Sequence, residues 1–333
     1  MTDTQPVLWF RRLALLGAVL AAMVIVLGAW VRLTDAGLGC PDWPGCYGHL
    51  YPQAADHMGK AWHEMIHRYV ATSLGAIITT LLIWAALRRR DAQQPLVPVI
   101  LLFVVVCLQG TLGALTVTLL LKPLIVTAHL LGGLTTLGLL GWLSITPERH
   151  GLTKAEMALR PLALAAGGIL CLQIFLGGWT STNYAAVACP DFPTCQRSWW
   201  PSMDFRDAFV LWRGLGIDYE GGVLANTARM AIHMTHRLGA AVTGCVLLSL
   251  GISTMLRAAG PRLRRAGLWV TGAVLLQIAI GIGTVHFSVP LALATLHNAG
   301  AALLVISMVG LLRALWPAPV VGVVPLRRVD STQ

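Results

Sequence analysis

Four histidines stand where an ionisable side chain is costly. His67, His129, His236 and His297 each fall inside a long apolar run. His67 and His236 are 169 residues apart, and His129 and His297 are 168 apart. Their surroundings repeat with them. Met65-Ile66-His67-Arg68 returns as Met234-Thr235-His236-Arg237, Leu108-Gln109 returns as Leu276-Gln277, and Ala128-His129 aligns with Leu296-His297. An imidazole at such a place either ligates something or hydrogen-bonds a neighbouring helix; intramembrane ionisable groups are functional by default. The halves differ at one turn. Glu64 precedes His67 by three residues and so shares its helix face, whereas the equivalent position in the second half is His233. A buried carboxyl beside one histidine pair is a candidate general base or proton relay; the alternative is a partner for Arg68. Arg68 and Arg237 directly follow their histidines and could pair with anionic groups near the outer interface or snorkel to lipid phosphates.

Cysteine supplies a second repeated motif. Cys40-Pro41-Asp42-Trp43-Pro44-Gly45-Cys46 recurs as Cys189-Pro190-Asp191-Phe192-Pro193-Thr194-Cys195. In an oxidising compartment each pair closes as a local disulfide. A structural staple, a redox-active pair exchanging electrons with a thiol partner and a shared zinc site all remain open. Cys107, Cys171 and Cys245 lie within apolar runs and read as buried small hydrophobes.

The elements that must position these residues are helices in a membrane. The 333 residues are 56% hydrophobic and 11% charged, with mean hydropathy +0.71, where a soluble domain carries about 25% charged residues. A span takes about 20 apolar residues, and eight runs qualify: 13–32, 62–87, 96–119, 123–146, 161–180, 227–256, 266–286 and 291–315. They are too long, and alternate too little, for a barrel. The expected fold is an all-α integral membrane protein of eight transmembrane helices, arranged as two pseudo-symmetric four-helix bundles over 1–150 and 151–333. The first run reads as a retained helix rather than a cleaved signal peptide.

The net charge of +10 does not point to nucleic acid. Arg11–Arg12, Arg88–Arg90, Arg149/Lys154/Arg160, Arg257/Arg262/Arg264/Arg265 and Arg313/Arg327/Arg328 all fall on one side of an eight-span arrangement. The positive-inside rule makes that side cytoplasmic, with both termini. Trp30, Trp62, Trp142, Trp179 and Trp316 sit near span ends as an interfacial belt. The long outside loops are 33–61 and 181–226; the second carries Trp199, Trp200 and Trp212, and its role is not readable.

On this topology the four histidines lie on spans 2, 4, 6 and 8, roughly 8–15 Å below the outer ends at about 1.5 Å per residue. Each bundle then holds two imidazoles at matching depth, and a bundle interior is where cofactor ligands are built. Two facing imidazoles can hold haem iron. Two histidines without a nearby Cys or Asp make a poor zinc set. His49, His57, His150 and His286 read as solvated or interfacial, and His63 points off the His67 face. Spans 1, 3, 5 and 7 end in the small-residue motifs Leu27-Gly28-Ala29-Trp30, Leu112-Gly113-Ala114-Leu115, Leu176-Gly177-Gly178-Trp179 and Ile280-Gly281-Ile282-Gly283. Close helix packing explains them best; a flat ligand against the glycines is the alternative.

Together, Gly39–Cys46, Glu64–Arg68, His129, Met234–Arg237 and His297 resemble the haem A synthase family over nearly the whole chain. The resemblance implies oxidation of the C8 methyl group of haem O to the formyl group of haem A, through hydroxylated intermediates, for cytochrome oxidase assembly. It implies an oxidoreductase of the bacterial inner membrane. Haem b would lie between His236 and His297, with Arg68 and Arg237 near haem propionates. The substrate haem would lie near His67 and His129, with Glu64 catalytic. Haem O synthase and an electron acceptor are the implied partners, and a homo-oligomer is left open. A diheme b-type electron carrier and a transporter are the competing readings.

Overall fold

The computed structural model describes residues 5–53, 57–89, 95–146 and 151–317. Arg90, Arg149, His150, Arg327 and Arg328 lie outside the described residues. Among those described, eight helical segments are long and apolar enough to cross a membrane. They are α1 (Gln5–Leu33), α2 (Met58–Leu87), α3 (Leu96–Thr118), α4 (Pro123–Ser144), α6 (Arg160–Thr182) with the short α5 (Lys154–Met157) at its start, α8 (Asn226–Arg257), α9 (Pro261–His286) and α10 (Leu291–Leu315). A further short helix, α7 (Phe205–Ala208), lies in the second outside loop. Helices are required here because lipid offers no hydrogen-bond partner to an open backbone. Proline at the first turn of α4, α6 and α9 costs nothing, since that N–H is unpaired in any helix.

All eight expected spans are present. The apolar runs understate the ends: α1 begins eight residues earlier than expected and α2 four residues earlier. The tight turns α3–α4 and α9–α10 share one conformation. Leu120 and Leu121 have φ of 50° and 58°, and Ser288 and Val289 have 59° and 60°. Each turn closes on a threonine carbonyl of the preceding helix, Leu121 N to Thr116 O at 2.8 Å and Val289 N to Thr284 O at 2.7 Å.

In the first half α1 packs along α2 and α4, and α3 against α2 and α4. In the second, α8 packs against α6 and α9, and α9 against α10, while α6 and α10 meet over a short stretch. The halves join through α1–α10, α4–α6 and α4–α10. One core centres on Ile78, Leu81, Leu137 and Leu140, the other on Ala163, Leu247, Leu250 and Leu311. At one end of the molecule Arg11 Nη1 and Arg262 Nη2 converge on Thr146, at 2.8 Å to its hydroxyl and 2.6 Å to its carbonyl. Arg160 Nε donates to Leu315 O there at 2.9 Å. Both cysteine loops lie at the opposite end, after α1 and α6.

Two expectations are corrected. Cys107, Cys171 and Cys245 are exposed on outer helix faces; they are apolar because they face lipid. Trp179 is 2% exposed, not interfacial. It stacks on Phe175 with ring centroids 5.9 Å apart, and its Nε1 donates to Ala208 O at 2.9 Å, beneath the second outside loop.

Candidate functional site

Each histidine is seated by a glycine of the helix before it. A Cβ at Gly28 of α1 would come within 2.9 Å of His67 Cε1 on α2. The same holds for Gly113 and His129 at 3.5 Å, Gly177 and His236 at 3.2 Å, and Gly281 and His297 at 3.1 Å. The four helical hairpins therefore repeat one contact: the imidazole edge fills the space that a missing side chain leaves. This is the packing explanation of the glycines in specific form.

In the second half the two rings are 6.4 Å apart between centroids and nearly perpendicular, at 83°. Two metal–nitrogen bonds of about 2 Å each, with half a ring added at either end, span roughly 6 Å. The residues thus fit an iron held between two imidazoles. Nδ1 of His67, His129 and His297 is buried with no hydrogen-bond partner. Among the described residues no three His, Cys, Asp or Glu side chains gather as a metal set. Two protein ligands suffice only for a metal that brings its remaining ligands with it, as haem iron does.

Glu64 is 4% exposed and engaged on both oxygens. Oε2 accepts the Cys40 amide at 2.9 Å, and Oε1 pairs with the Arg68 guanidinium. Arg68 Nη1 donates to the carbonyls of Asp42 at 3.0 Å, Pro44 at 3.2 Å and Gly45 at 2.6 Å. The second half repeats the clamp with one exchange. Arg237 donates to Thr194 O at 2.8 Å, Cys189 O at 3.0 Å and, through Nε, to His233 Nε2 at 3.2 Å. Both arginines thus fasten the cysteine loops to the helix at the residue directly after a histidine.

The loops are disulfide-closed, Cys40–Cys46 with S–S 2.06 Å and Cys189–Cys195 with 1.96 Å. Each pair closes on itself, so among the described residues the four cysteines form no shared metal site. The first disulfide is buried on Ala61 and Met65, the second on Met230 and Met234. Gly39 lets the first loop approach α2; a Cβ there would sit 2.7 Å from the Ala61 amide nitrogen. Two residues unremarked in the sequence organise the loops. Asp42 accepts the Tyr47 and Gly48 amides at 2.6 and 2.8 Å, and Asp191 accepts those of Gln196 and Arg197 at 2.7 and 3.0 Å. Their place in both copies of the motif was the available signal.

Among the described residues, His49, His57, His63 and His286 do not join the site. His49, His57 and His286 are exposed. His63 meets Trp30 edge-on at 6.4 Å and helps line an apolar groove between α1 and α2 with Leu27, Val31 and Ile66. The second outside loop, opaque in the sequence, reaches the first half. Lys122, 2% exposed, donates to Arg213 O and Gly214 O at 2.7 and 2.8 Å and lies 3.9 Å from the Trp212 ring centroid. Tyr219 N donates to Leu120 O at 3.1 Å, and Glu220 lies 3.6 Å from Lys60.

The fold and site define a multi-pass membrane protein built around paired histidines. The pattern of the COX15-CtaA family, described as cytochrome oxidase assembly protein, matches residues 11–309, and the chain belongs to that family. It is 40% identical to the heme A synthase of Shewanella oneidensis, across 92% of this chain and 96% of the relative. It is 27% identical to the heme A synthase of Rhizorhabdus wittichii, across 88% and 90%, and 26% identical to that of Granulibacter bethesdensis, across 88% and 83%.

Proposed function

We propose that the chain is a haem A synthase, an oxidoreductase that converts the C8 methyl group of haem O into the formyl group of haem A through hydroxylated intermediates. The observation that carries this reading is the asymmetry between two otherwise matching sites. The Glu64–Arg68 ion pair faces the first loop where a His233–Arg237 hydrogen bond faces the second. Two identical haem b sites would have no use for that difference.

The protein comprises two similar units, 1–150 and 151–333. In the second, His236 and His297 would hold a resident haem b, which would supply one-electron transfer. In the first, His67 and His129 hold the substrate haem, and Glu64 handles protons released as the methyl group is oxidised. Arg68 and Arg237 fix the loops over the two sites and offer positive charge to haem propionates. The conversion adds one oxygen and removes two hydrogens, so it needs an oxygen source and an electron acceptor. Haem O arrives from a haem O synthase. The chain lies in a bacterial inner membrane with both termini cytoplasmic and the disulfide loops outside, consistent with the arginine-rich end opposite the cysteines.

Expression with a haem O source, followed by chromatography and mass analysis of extracted haem, tests the reading. Hydroxylated and formyl haem are expected; their absence, with haem b still bound, would leave the diheme electron carrier. Glu64→Gln keeps an acceptor for the Cys40 amide and removes the charge. It is expected to retain bound haem while haem A output falls by about 100-fold or more, the scale of a lost acid–base group.

A further inference from the structure

Both cysteine loops continue the repeat beyond the second cysteine, into residues that the proposed function leaves unused. Cys46-Tyr47-Gly48-His49-Leu50-Tyr51-Pro52 aligns with Cys195-Gln196-Arg197-Ser198-Trp199-Trp200-Pro201. Each run makes a pinned turn. Cys46 N donates to His49 O at 2.8 Å and His49 N to Cys46 O at 3.1 Å; Cys195 and Ser198 exchange the same two bonds at 2.9 and 3.1 Å. The proline that ends each run is buried. Between turn and proline, two large apolar side chains are held outward. Leu50 is 80% exposed and Trp199 72%, with Tyr51 and Trp200 exposed beside them. Apolar side chains presented in this way mark an interaction surface.

The spans fix the depth of these pairs. Between Arg68 of α2 and Arg88 at its end lie 19 residues with no charged side chain, and between Arg237 and Arg257 of α8 lie another 19. At about 1.5 Å per residue, each stretch is about 29 Å long, close to the roughly 30 Å of a hydrocarbon core. Arg68 and Arg237 therefore stand at its boundary at the disulfide end, and the turns 58–67 and 226–236 rise out of it. The two arginines bond carbonyls of the cysteine loops, so both loops reach down to that boundary. The first pair is placed further by Tyr69, whose hydroxyl donates to Leu50 O. Tyr69 closes a stripe of exposed side chains on α2, after Met58, Trp62 and Ile66, at the spacing of one helix face. Leu50 thus abuts the face of α2 that meets lipid.

We infer that Leu50 with Tyr51, and Trp199 with Trp200, are two anchors that enter the lipid interface of the leaflet at the disulfide end, between headgroups and acyl chains. Aromatic side chains favour that layer. The two pairs match in register, rigidity and exposure but not in residue type. A protein partner reading both would need matching shapes, whereas a lipid interface accepts any large apolar side chain. Phe205, exposed and stacked on Trp200 at 6.2 Å between centroids, widens the second anchor. Each loop is then held from two sides, by an arginine of the following helix and by the bilayer. The anchoring is independent of the haem chemistry proposed above.

The test uses full-length protein in nanodiscs of phosphatidylcholine and phosphatidylglycerol. Subtracting the fluorescence of a Trp199→Phe/Trp200→Phe variant from that of the wild type isolates the second pair. Leu50→Trp, compared with the wild type, reports the first; Tyr51→Trp takes its place if that variant does not fold. Both difference signals are expected to fall more with lipids carrying a nitroxide just below the headgroup than with lipids carrying it on the headgroup. An equal loss, the reverse order or no loss, at either pair, overturns the anchors. Quenching by iodide in the water without quenching by the lipid nitroxide would leave these residues as a docking surface for a protein partner, which also overturns them.

Discussion

At the scale of single residues, a glycine here is defined by the ring that occupies its missing side chain. The four seats differ in tightness, and this gives a graded prediction. Gly281→Ala would bring a methyl group to 3.1 Å from His297 Cε1, whereas Gly113→Ala would meet His129 Cε1 at an ordinary 3.5 Å. Overpacking of the first kind costs about 1–3 kcal/mol. Gly281→Ala is expected to lower haem bound per protein, read from the Soret band, and to reduce thermal stability; Gly113→Ala is expected to change neither appreciably. Glutamine and glycine at Gln277 and Gly300 show the same logic in polar form, since an amide crosses between helices only where the facing residue has no Cβ.

At the scale of elements, the two outside cysteine loops are one design used twice. A disulfide closes the loop, an aspartate gathers the two amides beyond the second cysteine, and an arginine from the following helix gathers the carbonyls between the cysteines. The aspartate makes the loop acid-sensitive. The Thr194 hydroxyl, followed by the Arg197 and Gln196 amides, holds the Asp191 carboxyl below its ordinary value. A depressed pKa means that the folded loop favours the carboxylate. Its contribution is therefore full above the unfolded value, near pH 4, and is lost as pH falls through the lower folded value. Amide exchange at Gln196 and Arg197 is expected to rise selectively relative to the intrinsic rate below about pH 4, and to be raised at neutral pH in Asp191→Ala. Protection that is independent of pH down to the unfolding of the helices would count against this account.

At the scale of the whole molecule, the halves are joined by more than helix packing. The second outside loop leaves α6, crosses to the first half and is held there by a buried Lys122 under Trp212. Lys122→Met keeps the stem and removes the charge; it is expected to release the segment 210–222 at a cost on the order of 2–3 kcal/mol. New protease cleavage confined to that segment is the outcome to look for, and an uncut loop would show that the lysine does not hold it.

The amino-acid sequence alone determined the eight helices and the histidines worth watching. Both follow from local physics: a segment in lipid must satisfy its own backbone, and a charge-capable ring there is expensive enough to be conspicuous. It also determined the repeat, and hence that Glu64 and His233 occupy equivalent places. Only the tertiary structure decided which side of each helix faces protein. Lipid is as apolar as a bundle interior, so Cys107, Cys171 and Cys245 look buried in the sequence yet lie on the outside, while Trp179 looks interfacial and is enclosed. Partnership across helices was likewise illegible. Gly28 with His67, Gln277 with Gly300 and Lys122 with the distant Arg213 and Gly214 carbonyls depend on how helices rotate and where a long loop lands, and those are set by packing among segments rather than within any one of them.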